Sequence, residues 1–230
     1  IAPASRYSGI EPVFHQGEAR TMDLTHMPLD IAGLLALAAG LGWAAGLRLY
    51  TVIFVVGMVG YLGIAELPPG LRILQHPLVF SAAGLMLFVE FFADKIPLLD
   101  SAWDTVHTFI RIPAGAALAA MVFGGQGLEW QTAMAVLGGT LAAGTHFTKA
   151  STRAMINTSP EPFSNIAAST GEDVVVLTGL WLMFAHPWIM LVLLALLVAL
   201  MLWLLPRLWR GVAALVSSFS LPRPAAGGHS

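Results

Sequence analysis

Cysteine is absent from this 230-residue chain, which excludes disulfides, thiol nucleophiles and thiolate metal sites. Redox chemistry therefore says nothing about its compartment. Charge is scarce as well. Only 10% of residues are Asp, Glu, Lys or Arg, where a soluble domain carries about 25%. The formal net charge is -2, and the eleven Lys and Arg are scattered, so no strongly basic surface exists and no nucleic-acid partner is expected. The chain also lacks a Gly-rich phosphate loop with Lys-Ser/Thr, His-Glu-x-x-His and Gly-x-Ser-x-Gly. Its seven His are dispersed, so a His-built zinc or haem site is not expected, and no cofactor is.

What fills the chain instead is apolar sequence, at 57% of residues. A bilayer core needs about 20 apolar residues as a helix. Six segments come near that: Ile31–Ala65, His76–Ala93, Thr105–Phe123, Gln131–Phe147, Ile166–Ala185 and Pro187–Leu205. The expected fold is an all-α, polytopic membrane helical bundle of about six spans, one transmembrane domain over 31–210. The first run is long enough to be tilted, kinked or broken near Gly46–Arg48. Residues 1–30 are polar and without an apolar face, so they are expected to be disordered. Met22 or Met27 would make a natural start, and part of the first twenty-one residues is expected to come from an upstream start or from added sequence. Residues 211–230 read as a C-terminal tail.

Loop charge sets the expected orientation. With both termini in the cytoplasm, the inner side receives Arg6, Arg20, Lys95, Lys149, Arg153, Arg207, Arg210 and Arg223, and the outer loops receive Arg72. The expected location is the cell inner membrane. Trp181, Trp188, Trp203 and Trp209 read as interface anchors. Two strings can be superposed: Trp43-Ala-Ala-Gly-Leu-Arg48 and Leu141-Ala-Ala-Gly-Thr-His146. Taken as a duplication, they divide the chain into repeats 31–123 and 131–210. Three spans each would invert the second repeat, as in many secondary transporters. Chance is the alternative, since small residues are common where membrane helices pack.

Charge inside the apolar part gathers in two strings. Glu90 and Asp94 share a helix face at the end of the second span. Pro97 then breaks the helix, and Asp100, Asp104, His107 and Arg111 form a second face. Such carboxylates could hold a cation, relay protons or bind magnesium against a phosphate. Asp100 or Ser101 could simply cap the next helix. In the second string His146, Lys149, Arg153 and Asn157 share a face, followed by Ser164, Asn165, Glu172 and Asp173. Lys149 and Arg153 also satisfy the positive-inside rule without any site, and Ser164-Asn165 could cap the fifth span. Glu172 and Asp173 lie too far inside that span for capping. Arg48, the only charge in its run, is expected to face a carboxylate, either Glu90 or one of Glu172 and Asp173. The candidate substrate- or ion-binding residues are thus Arg48, Glu90, Asp94, Asp104, His146, Lys149, Asn165, Glu172 and Asp173; a metal is left open.

Ala-Gly-Leu-Arg at 45–48, the string Glu90-x3-Asp94-Lys95-x-Pro97-x2-Asp100-x2-Trp103-Asp104, and Ser164-Asn165 with Glu172-Asp173 resemble the domain of unknown function 4126 family. The resemblance runs from Ile31 to Leu205. It implies a small multi-pass bacterial membrane protein and brings no activity with it. Where the family pattern has Pro after Ser-Asn, this chain has Ile166. The leading functional expectation is a small secondary transporter or channel-like protein with a charged intramembrane site. The alternatives are an intramembrane magnesium-dependent enzyme acting on a lipid phosphate, and a structural or assembly protein held by ion pairs. Membrane lipid and a small ion or solute are the expected partners, with a homo-oligomer left open.

Overall fold

Asp30 opens the first helix: its side chain accepts a hydrogen bond from the Gly33 N–H at 2.7 Å, satisfying one of the free donors there. In the computed structural model, which describes residues 30–158 and 162–219, six α-helices follow one another and no strand occurs among the described residues. They are α1 (Ile31–Tyr61), α2 (Pro77–Ala93), α3 (Leu99–Val122), α4 (Leu128–Ile156), α5 (Pro162–Ala185) and α6 (Pro187–Phe219), with a 3-10 turn over Pro69–Gln75. Proline at the first position starts α2, where its missing N–H costs nothing. Pro187 starts α6 one residue after α5 ends. The expected polar segment before residue 30 and the tail beyond 219 lie outside the described residues. Helix α6 itself continues past Arg210 to Phe219.

Four helices are long and apolar enough to cross a membrane: α1, α3, α5 and α6. The 3-10 turn and α2, bent by 67° against each other, make a fifth if taken as one broken span. Helix α4 is not among them, because Thr132, Thr140, Thr145, Thr148 and Thr152 dilute its apolar run. Each of those hydroxyls donates to the carbonyl four residues back, at 2.7–2.9 Å. That is how a helix buries hydroxyls where water is scarce. The chain is thus a helical membrane-type bundle with α1 at its centre.

Helix α1 is broken at Arg48, whose backbone (φ -142°, ψ 73°) leaves the helical region. Helix α5 meets that break at Ser169, and its C-terminal half lies along both arms of α1. Gly179 packs on Trp43 and Met183 on Gly40 of the first arm. Leu177, Trp181 and Phe184 share an apolar cavity of about 410 Å³ with Val55, Val59 and Ile64 of the second. Both arms therefore run toward the same end of the bundle, and α1 turns back at Arg48. The arms hold 17 and 13 residues, so they are about 26 and 20 Å long, each short of a full bilayer core of about 30 Å.

Close approaches fix the other directions. Gly42 meets Gly138, Gly46 meets Ala142, and Lys149 reaches the Leu47 carbonyl, so numbers rise together and the first arm runs parallel to α4. Met201 against Gly144 and Met155 against Gly211 make α6 parallel to α4 as well. Two expectations change. An inversion of 31–123 onto 131–210 requires α1 and α4 to oppose each other at the superposed strings, and they do not. The described ends of the bundle are also not on one side, because Ile31 lies at the end shared by Gln126 and Ala185, and Phe219 at the other; the termini themselves lie outside the described residues. The cause is the same in both cases: α1 returns instead of crossing.

This placement is directly testable, since the cysteine-free chain accepts single reporters. Cysteines at Ile31, Gln126 and Ala185 should label from one side of a membrane, and cysteines at Ile96 and Thr158 from the other. Ile31 labelling with Thr158 would show that α1 crosses.

Candidate functional site

The break in α1 points Arg48 into the bundle, where it is fully buried. Its Nη1 stands 2.8 Å from Asp94 Oδ2 and its Nε 3.2 Å from Asp173 Oδ1. Its Nη2 donates to Ser169 Oγ at 2.7 Å and to the Ser169 carbonyl at 3.0 Å. Glu172 Oε2 lies 3.7 Å from Nε. Of the partners expected for Arg48, Glu172 and Asp173 are there. Glu90 is not; it lies one turn deeper and pairs with Arg111 at 2.6 Å.

Helix α4 supplies the next cations. Lys149 Nζ sits 2.7 Å from the same Asp94 oxygen, and 3.4 Å from Asp104 Oδ1 and from Glu172 Oε2. Its bond to the Leu47 carbonyl, 3.3 Å, caps the first arm of α1 at the break. One turn on, Arg153 holds Glu172 Oε1 at 3.0 Å and donates to the Asp94 and Asn165 carbonyls, each at 3.1 Å. Helix α3 faces them with Asp104 and Arg111, joined at 2.7 Å.

Around these pairs run neutral bonds whose direction can be assigned. His146 Nδ1 accepts from Arg111 at 3.4 Å, so Nε2 carries the hydrogen and donates to Thr108 Oγ1 at 2.7 Å. Thr108 in turn donates to the Asp104 carbonyl. His107 donates from Nδ1 to the Trp103 carbonyl, leaving Nε2 to accept from Tyr50. Asn165 donates to Asn157 Oδ1, and Asn157 donates to Asp100 Oδ1, at 2.8 Å each. These last three tie the α3 start, the α4 end and the α5 start together. Asn165 is not a helix cap, whereas Asp100 Oδ1 accepts from the Ser101 N–H at 2.6 Å, one of the free donors of the first turn. Asp100 lies in the first turn of α3, which is entered from Leu98 at φ 70°, and Asn165 lies inside α5.

The network is a column. Asp100 to Arg111 on α3 and His146 to Asn157 on α4 each cover about 16 Å of helix rise, from the loop end of the bundle toward its middle. Ten of its residues are nearly or fully buried: Arg48, Glu90, Asp94, Asp100, Asp104, Arg111, His146, Lys149, Arg153 and Asn165. Glu172 and Asp173 retain 16% and 23% side-chain exposure and form its open edge. Hydrogen bonding is incomplete on both sides: Arg48 Nε and Nη1 and Arg111 Nε are buried without a hydrogen-bond acceptor. Glu90 Oε2, Asp94 Oδ1, Asp100 Oδ2, Asp104 Oδ2 and Glu172 Oε2 are buried without a hydrogen-bond donor.

A family model described as "Domain of unknown function (DUF4126)" matches residues 35–207, most of the chain and every member of this network. The chain belongs to this family. No curated protein and no solved structure matches it.

In this DUF4126 chain all nine residues singled out from the sequence converge on one network. Further members are Asp100, Arg111, Arg153, Asn157 and Ser169. Arg153 is easily credited to loop charge alone, yet it lies four residues from Lys149 and from Asn157, on the face that meets α3. Arg111 lies two helical turns after Asp104, on the same face. No group of three or more His, Asp or Glu is arranged to hold a metal among the described residues. Glu90, Asp94 and Asp104, the carboxylates considered for magnesium, each give one oxygen to Arg or Lys instead.

Proposed function

We propose that this protein is a small secondary transporter or channel-like protein of the inner membrane, moving a small ion through the charged column. One observation carries the reading: a helix broken at membrane depth around a buried arginine that several carboxylates share. Irregular backbone at that depth is tolerated only when buried in protein or lining a polar cavity. Transporters use such breaks to build their ion sites. Intramembrane charge is expensive, and function is its default explanation. By the positive-inside rule the end bearing Lys95, Arg207 and Arg210 faces the cytoplasm, opposite Arg72. The column then opens inward, and Ile31 lies outside.

A structural role is the second reading, favoured by the fact that every buried Lys and Arg of the network has a carboxylate within 4.0 Å. The magnesium-dependent enzyme has no comparable support, because its carboxylates do not gather around a common point.

Flux into liposomes carrying the purified protein separates the two. Transport predicts ion movement above empty liposomes, falling to background in Arg48→Gln and in Asp173→Asn. A folded wild-type protein that moves no ion would leave the structural reading. Asp173→Asn is included because Asp173 is partly exposed, so its loss should leave the fold standing.

A further inference from the structure

Helix α5 changes character half-way along. In residues 163–175 the buried positions are Asn165 and Ser169, both polar, with Ser164, Ala168, Glu172 and Asp173 part-buried beside them. Spacings of three and four carry that face on to Val176, Gly179, Leu180 and Met183, all buried. The inward face is thus polar in the first half and apolar in the second.

Different forces hold the two halves. The second packs Gly179 on Trp43 and Met183 on Gly40. The first buries no apolar side chain over residues 163–175, and its bonds go to charged and amide groups. Ser169 accepts from Arg48 through its hydroxyl and carbonyl, at 2.7 and 3.0 Å, and from Lys95 at 3.2 Å. Glu172 accepts from Arg153, Asp173 pairs with Arg48, and Asn165 bonds Arg153 and Asn157. Parting the second half from α1 would only lose apolar contact. Parting the first exchanges each hydrogen bond for one to water, a nearly balanced trade. The open edge at Glu172 and Asp173 is where that water would enter.

We propose that residues 163–175 are the gate of the column. They swing off α4 and the break in α1, pivoting on the packed second half of α5, and uncover Arg48 and Asp94 to water. That an ion passes when the gate opens rests on the transport reading above; the movement itself does not. With the gate closed, Arg48 and Asp94 are fully buried. Opening takes Ser169, Glu172 and Asp173 from Arg48 and leaves it Asp94 at 2.8 Å. The pairs behind it, Arg111 with Glu90 and Asp104 and Lys149 with Asp94, do not involve α5, so the rest of the column stays assembled.

Spin-label distances on the full chain in liposomes test the movement, with labels on cysteines at exposed positions. Ala167 paired with Thr105 should give two distances, and Thr178 paired with Thr105 a single one. Asp173→Asn, which removes one latch, should raise the share of the longer Ala167 distance. A single Ala167 distance, unchanged by Asp173→Asn, would overturn the gate. Equal shifts at Ala167 and Thr178 would overturn it too, because the whole helix would then move. Flux is tested with cysteines at Asn157 and Asn165, whose amides meet at 2.8 Å, bridged by a short bis-methanethiosulfonate reagent. Bridging should abolish flux of protons, sodium or potassium, and reduction should restore it. The spin-label pairs decide the matter if the bridged pair does not fold. Flux that survives bridging would overturn the gate as the route of the ion. Two Ala167 distances with no flux of any of these ions would keep the gate and overturn transport.

Discussion

Asp94→Asn is expected to destabilise the protein more than any other conservative polar change. One Asp94 oxygen neutralises both Arg48, at 2.8 Å, and Lys149, at 2.7 Å, and all three side chains are fully buried. Removing one partner of a buried pair costs about 3–5 kcal/mol, because the remaining charge keeps its desolvation penalty. Here two cations are affected. Arg48 keeps Asp173 at 3.2 Å, whereas Lys149 is left with contacts at 3.4 Å. The thermal midpoint or folded yield in detergent should therefore fall sharply. Adding Lys149→Met should recover much of the loss, since it removes the stranded charge. The exposed pair Glu66–Arg72, at 3.4 Å, is the control: its side chains are 60% and 58% exposed, and Glu66→Gln should change little. A mild Asp94→Asn would mean that water enters the column far more freely than its burial implies.

The second large effect concerns Gly46. A Cβ there would lie 1.9 Å from Thr145 Oγ1 and 2.4 Å from the Ala142 carbonyl oxygen. Overpacking costs about 1–3 kcal/mol in a core that can adjust; contact with helix backbone is the case that adjusts least. Gly46→Leu should push the first arm of α1 off α4, breaking the 2.9 Å bond from Thr145 to the Trp43 carbonyl and the Lys149 cap on Leu47. Loss at or above the top of that range is expected in a melt. Gly171→Ala, where a Cβ meets nothing, should be neutral or stabilising by up to about 1 kcal/mol. Equal behaviour of the two would contradict the packing of α1 on α4.

That same packing explains what the sequence conveyed and what it misled about. Charges in apolar runs are rare enough to notice individually, so Arg48, Glu90 and the two strings could be found without coordinates. Their pairing could not. Whether Glu90 faces Arg48 or Arg111 depends on how α2 is rotated and how deep it sits, and spacing along a chain carries neither. The likeness between 43–48 and 141–146 looked like duplication. In the fold these two strings lie against each other, Gly46 on Ala142 and Thr145 on Trp43. Small residues are required on both sides of one close contact, and that produces the similarity without a repeat. The turn-back of α1 was hidden for a simpler reason. A long apolar run with one arginine reads equally as a kinked span or as two shorter arms, and only contacts to α5 distinguish them.

The turn at Arg48 also constrains how the chain is made. Its first arm emerges early, yet the side chain that must be neutralised waits for Asp94 and then for Ser169, 121 residues later. Until α5 has been synthesised, the charge at the tip of α1 has Asp94 alone and lacks Ser169, Glu172 and Asp173. The ribosome thus delivers the centre of the bundle first and the last of its counter-charges, Glu172 and Asp173, much later. Helix α1 cannot be committed to the lipid as an independent unit. It has to be held, by the insertion machinery or at the membrane surface, until later helices close around it, and final placement of the earliest segment becomes a late event in biogenesis.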